Sequence, residues 1–217
     1  LMDYDTASTE ALKQTISRWK INDDFPAVYK TYEKINGRLW DDYEKNLISS
    51  EALRVERFKQ LGAARKWVFN EWNQFSDNYL EYLSQQAPLY HDTTHVLDAL
   101  EGRYKLAIIT NGISSVQRGR MKHSVIARYF PVFIISSEFG TAKPDPGIFD
   151  IALQELQSKK AETLYVGDSV TSDMKGASNA GIDFCWYNPK GNHSEEKLIF
   201  RYEIRNLTEL LELLDEV

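Results

Sequence analysis

From Thr6 to Gln86 the apolar positions recur at helical intervals. Leu12, Ile16 and Trp19 form one stripe, Val28, Tyr32, Ile35, Leu39 and Tyr43 a second, and Val68, Trp72, Phe75, Tyr79 and Tyr82 a third. Steps of three and four positions put each set on one face of a helix. Asp24 before Phe25-Pro26 and Ser49-Ser50 before Glu51 are predicted helix starts, because their side-chain oxygens can accept from unpaired first-turn amides. Residues 6–86 are therefore expected to form a helical domain.

Beyond Pro88 the pattern changes to short apolar runs at 106–110, 132–135, 164–166 and 184–187, separated by helical stretches near 92–102, 113–128, 146–158 and 171–180. Alternating strands and helices imply right-handed crossovers and a parallel sheet covered on both faces. The expected fold class is α/β: a Rossmann-like parallel sheet core of residues 1–5 and 87–217, with the helical segment as a second domain. A last helix carries Leu207, Leu210, Leu211 and Leu214.

Composition narrows the function. The formal charge of −6 and pI near 5.3 give no cationic field for a polyanion, so nucleic acid is not an expected partner. No apolar run approaches the roughly 20 residues that cross a bilayer, so no membrane partner is expected. Cys185 is the single cysteine and cannot form an internal disulfide, which points to a reducing cytoplasm. Within a predicted strand it reads as an inert buried thiol. His91 and His95 have the spacing of a zinc helix, but glutamate and a third ligand are missing, so a helix start is the better reading. Asn192-His-Ser194 and Asn206-Leu-Thr208 match the glycosylation pattern, which carries no information in a cytoplasmic chain.

In open parallel sheets ligands bind beyond the carboxyl ends of the strands. The first predicted strand ends in Thr110-Asn111-Gly112. A hydroxyl and backbone amides at such a turn can donate to a phosphoryl group; the alternative is a polar turn that caps the next helix. After the second strand, Lys143 sits in the proline-stiffened segment Gly140 to Pro146, where an ammonium could neutralise phosphate charge or simply be solvated. The third strand leads to Gly167-Asp168 and, about one turn later, Asp173. These offer hard oxygen ligands for Mg2+, or else a helix cap and a first-turn acid.

Hydroxyl, lysine and acidic pair in that order, each at its own strand end, resemble the haloacid dehalogenase superfamily of phosphohydrolases. Thr110 matches the second motif, Lys143 the third, and Asp168 with Asp173 the fourth. Tyr29 to Tyr32, Ile35 to Trp40 and Asp183 to Pro189 are similar to its pyrimidine 5′-nucleotidase-like branch. The resemblance implies a helical cap over an α/β core, a magnesium ion at Asp168, and a small phosphorylated substrate, a nucleotide. It implies that Thr110, with the backbone amides of Asn111 and Gly112, holds the phosphoryl oxygens, that Lys143 offsets developing charge, and that Asp173 holds a metal-bound water or orients Lys143. Aromatic residues such as Trp40, Trp67 and Trp72 could stack on a base.

The family's first motif, an apolar strand ending in Asp-x-Asp-x-Thr, supplies the nucleophile. Asp3 and Asp5 are not its match, because only Leu1 and Met2 precede them and Ala7 stands where threonine is needed. The motif is expected upstream of Leu1, and the chain as it stands is expected to be inactive. The family's first strand is central, so without it buried ladder groups would each cost about 1–3 kcal/mol, and the chain is expected to fold poorly alone. Rival readings are a dehalogenase or phosphomutase of the same fold, or a non-catalytic binding protein.

Overall fold

The computed structural model describes residues 1–45, 47–193 and 199–215; Ser194, the last residue of one glycosylation pattern, lies outside them. The chain divides into two compact units, one of Met2–Pro88 with Ser115–Ser124, the other of Leu1, Leu89–Ser114 and Val125–Val217.

The helical unit is built on α1 (Tyr4–Arg18), α2 (Phe25–Glu44), α3 (Ser50–Arg65) and α4 (Trp72–Gln85). Asp24 accepts from the Ala27 amide and Ser49 from the Ala52 amide, both at 3.2 Å, so both predicted starts carry their cap. α1 packs on α4 and α2 on α3, burying Leu12, Val28, Tyr32, Leu53, Phe58, Leu61, Phe75 and Tyr79. Each such side chain contributes about 1.5–3 kcal/mol.

The tip of the Trp72 ring packs against α3, where a Cβ on Gly62 would meet it at 2.0 Å; Trp67 donates to Asp23 at 2.9 Å. Both tryptophans serve the unit's own packing. Arg57 is also enclosed, 1% exposed. Its Nη1 donates to Asn36 at 3.2 Å, and its guanidinium lies 4.9 Å from the ring centres of both Phe58 and Tyr79. The aromatic faces thus take the place of a carboxylate.

Helix α6 (Ser114–Lys122) belongs largely to this unit, which differs from the expected division, as does the placement of residues 2–5. The reasons are local. Tyr4 opens α1, Arg120 Nε donates to the Gln86 carbonyl at 3.0 Å, and a Cβ on Gly119 would come within 2.7 Å of Ser84.

The α/β unit contains β1 (Ala107–Thr110), β2 (Val132–Ile135), β3 (Leu164–Gly167), β4 (Asp183–Tyr187) and β5 (Tyr202–Ile204). All pairings are parallel. On one face lie α8 (Gly147–Leu156) and α9 (Lys175–Ala180), packed through Ile148, Phe149, Ala177, Phe184 and Trp186. On the other lie α5 (Thr93–Leu100) and α10 (Glu209–Asp215), packed through Val96, Cys185, Ile204 and Leu210. A four-residue helix, α7 (Ser136–Phe139), follows β2.

The single expected sheet is in fact two: β1 pairs with β2, and β3-β4-β5 form a separate ladder. β1 and β3 therefore each use one edge only, among the described residues. Every residue of both is half-buried, whereas Ile135 of β2 and Cys185 of β4 are 0% exposed. Sheet strands with covered faces but an unpaired edge keep backbone groups without ladder partners.

Candidate active site

The carboxyl ends of β1, β2 and β3 bring most of the predicted residues together. Thr110 is the last residue of β1, opposite Ile135. Its hydroxyl accepts from the Gly112 amide at 3.1 Å, which leaves its own proton to donate outward. Asn111 turns to the loop after β2, accepting from the Lys143 amide at 2.9 Å and donating to the Lys143 carbonyl at 2.8 Å. That reciprocal pair pins the lysine loop to the end of β1. The Asn111 side chain is thus committed to the lysine loop, and the Gly112 amide, one of the two backbone amides expected to face a phosphoryl group, is bonded to Thr110.

Lys143 extends into the α/β unit with 10% of its side chain exposed. Its ammonium donates to Asp173 Oδ1 at 2.6 Å, to the Tyr165 hydroxyl at 3.1 Å and to the Ile109 carbonyl at 3.3 Å. Burial works against the charged form, but the Asp173 carboxylate outweighs it and holds the lysine above its ordinary pKa.

Asp173 comes from a π-helical turn, Val170–Met174, capped by Ser169. Its Oδ1 receives Lys143 and Tyr165, the latter at 3.0 Å, and its Oδ2 receives the amides of Asp168 and Ser169 at 3.1 and 3.0 Å. Burial alone would raise its pKa; Lys143 and these donors lower it below the usual value. With both oxygens occupied, Asp173 orders the loop and the lysine and has little capacity left for a metal. Of the two roles expected for it, orienting Lys143 fits this geometry.

Asp168 presents the opposite case. Its amide goes to Asp173 and its carbonyl accepts from Trp186 Nε1 at 3.2 Å, while its exposed carboxylate has no side-chain hydrogen bond or salt bridge among the described residues and feels Lys143 only at a distance. Partial shielding, then repulsion from Asp173, raise its pKa. A carboxylate made uncomfortable in this way is suited to an external cation.

Two residues complete the picture. Tyr165 was not singled out in the sequence, although strand alternation puts it on the face of β3 that also carries Gly167, and a buried phenol needs a partner. Asp3 caps α1, accepting from the Thr6 amide at 3.0 Å and its hydroxyl at 2.6 Å, a structural task that accounts for its position. His91 is exposed, bonded to Asp92 at 2.7 Å, and no group of three metal-ligating side chains occurs among the described residues.

Residues 33–187 match the family model described as haloacid dehalogenase-like hydrolase. The chain belongs to that family. Among its relatives, the pyrimidine 5′-nucleotidase PynA of Streptococcus pneumoniae is 34% identical over 100% of this chain and 91% of its own length. The pyrimidine 5′-nucleotidase YjjG of Escherichia coli is 32% identical over 86% of this chain and 82% of its own. Among solved structures, the HAD-hydrolase YfnB of Bacillus subtilis, bound to magnesium, superposes with a TM-score of 0.92 at 27% identity, covering 99% of this chain and 93% of its own. For a haloacid dehalogenase-like hydrolase, the donor set here fits a hard divalent ion in one respect: Asp168 offers a free carboxylate, and magnesium accepts one or two protein carboxylates with substrate and water oxygens completing the shell.

Proposed function

We propose that this hydrolase is a magnesium-dependent phosphomonoesterase acting on nucleoside 5′-monophosphates, with pyrimidine nucleotides the first to test. One observation carries the reading: Asp173 joins the Lys143 ammonium on one oxygen to the Asp168 backbone on the other. A cation and a free carboxylate are thereby held side by side at the strand ends. The names of the two curated relatives support the nucleotide class.

In this reading Lys143 offsets the charge gathering on the phosphoryl oxygens, and the Thr110 hydroxyl donates to one of them. Asp173 keeps the ammonium in place. Magnesium, which Asp168 would hold, supplies Lewis-acid neutralisation of the dianion. The family resemblance implies an aspartate carboxylate as the attacking group. Its bond to phosphorus forms as the ester P–O bond breaks and the leaving oxygen takes a proton from the second aspartate that the same motif implies; water then attacks the aspartyl phosphate, gives its proton to that aspartate, and releases inorganic phosphate and the free carboxylate.

The test is a phosphate-release screen with the complete protein and magnesium, over nucleoside monophosphates, sugar phosphates and 2-halo acids. Phosphate from nucleoside monophosphates is expected. Halide release, or isomerisation of a sugar phosphate without free phosphate, would replace this reading with another chemistry of the same fold.

A further inference from the structure

We propose that Tyr165 is a positioning residue for this reaction, setting the direction of the Lys143 ammonium and locking the Asp173 carboxylate to it. The inference rests on the reading of Lys143 as the group that neutralises phosphoryl charge.

An ammonium on a four-carbon stem is a rotor with three equivalent donors. One carboxylate partner fixes neither its rotation nor its lateral position. Here the second partner is the phenol, at 3.1 Å from Nζ, and the same oxygen lies 3.0 Å from Asp173 Oδ1. With the Lys143 to Asp173 bond of 2.6 Å the three groups close a triangle. The phenol's only proton has one destination in it, because an ammonium cannot accept. It must go to Asp173, and its lone pair must face Lys143. The hydroxyl is therefore oriented by its neighbours and cannot flip.

The ring itself is held by two aromatic neighbours. Tyr165 lies on β3 opposite Phe184 of β4. Phe149 meets it edge-on at 4.9 Å and 77°, and Phe184 lies near-parallel at 6.2 Å. A functional group supported by packed aromatic rings on a strand defines position better than one on a loop. Of the ammonium's three bonds, the longest, at 3.3 Å, goes to the neutral Ile109 carbonyl. That bond is the one surrendered to a phosphoryl oxygen, while Asp173 and Tyr165 keep the nitrogen in place. Packing alone would be served equally by phenylalanine, so the hydroxyl is the part that needs this explanation.

The experiment is Tyr165→Phe in the complete protein, read by steady-state kinetics and by NMR of the Lys143 ammonium in lysine-labelled samples, assigned with Lys143→Ala. The ring and its contacts are retained, and a Tm lower by a few degrees is expected, because the hydroxyl's bonds to two charged groups are lost. The expected result is a fall in kcat of about tenfold, the loss of one hydrogen bond's worth of alignment, with KM little changed, together with a shift and faster proton exchange of the Lys143 signal. A kcat within twofold of wild type and an unmoved ammonium signal would overturn the proposal. If the variant fails to fold, the 3-fluorotyrosine protein, which keeps the oxygen but weakens it as an acceptor, takes over as the test with the same two readouts. Should the wild type release no phosphate, or Lys143→Ala keep its rate, the functional reading fails, and the NMR comparison alone decides whether Tyr165 positions the ammonium.

Discussion

Gly167 and Asp173 approach so closely that a Cβ on residue 167 would lie 2.5 Å from Asp173 Oδ2. The absence of a side chain at the end of β3 is what lets the carboxylate fold back over the strand tip and receive two backbone amides. Gly167→Ala should therefore push Asp173 off those amides. The expected cost is about 1–3 kcal/mol of stability, as for other overpacked sites, with a larger proportional loss of phosphate release. Urea unfolding alongside the activity assay checks this; an alanine variant with normal kinetics would show that Asp173 can move without consequence.

Lys143 and Asp173 form an ion pair with only 10% and 6% of their side chains exposed. Removing one partner leaves the other charged and enclosed. Lys143→Met or Asp173→Asn alone should cost about 3–5 kcal/mol, and the double variant clearly less than the sum. Additive losses in a double-mutant cycle would mean that the two groups are not energetically coupled. Lys143→Ala should also nearly abolish turnover.

On balance the folded state disfavours the Asp168 carboxylate, since shielding and Asp173 outweigh Lys143 and hold its carboxyl above the ordinary range. A raised carboxyl pKa means that the folded form loses stability as the pH rises through the titration range, so at neutral pH the charge is a burden. Asp168→Asn is expected to raise the Tm measured without metal, while removing both the stabilisation produced by added magnesium and the phosphate release. A variant that still responds to magnesium would move the metal elsewhere.

Asp23 shows the opposite linkage. Arg65 first, and then Trp67, hold its carboxyl far below the usual range against the opposing effect of burial. A lowered pKa contributes stability that is present above the unfolded value of about 3.9 and is lost as the pH falls through the folded value. Asp23→Asn should destabilise the helical unit by about 1.5–3 kcal/mol at neutral pH, as for bonds to charged groups. The gap to wild type should close below about pH 4. Unfolding followed by tryptophan fluorescence reads it directly, because Trp67 is one of the donors; a gap independent of pH would exclude the charge as its source.

Much of the architecture was legible in the residue pattern. The runs at 132–135 and 164–166 became β2 and β3 almost to the residue, and the caps at Asp24 and Ser49 formed as their chemistry required. These are local effects. Three-residue β5 was not foreseen, because so short a strand has no periodicity to detect. Nor was the grouping of α6 with the helical unit, which depends on Arg120 meeting a carbonyl 34 residues away.

The candidate site divides along the same line. Thr110, Lys143, Asp168 and Asp173 could be picked out from their order at successive strand ends, since a parallel sheet places its loops on one edge. What each side chain does there could not. Asn111 clamps a loop, Asp173 spends all its capacity on four donors, and Tyr165 enters the site from a strand that reads as simple core.

The sequence by itself thus determined the α/β class, the helical unit and the strand ends at which chemistry gathers, because apolar periodicity and turn residues act within a few positions of one another. Only the tertiary structure decided which polar groups meet. Lys143 lies 22 residues from Tyr165 and 30 from Asp173. Hydrogen bonds over such separations depend on where packed elements deliver each atom to within a fraction of an ångström, and no local pattern encodes that distance.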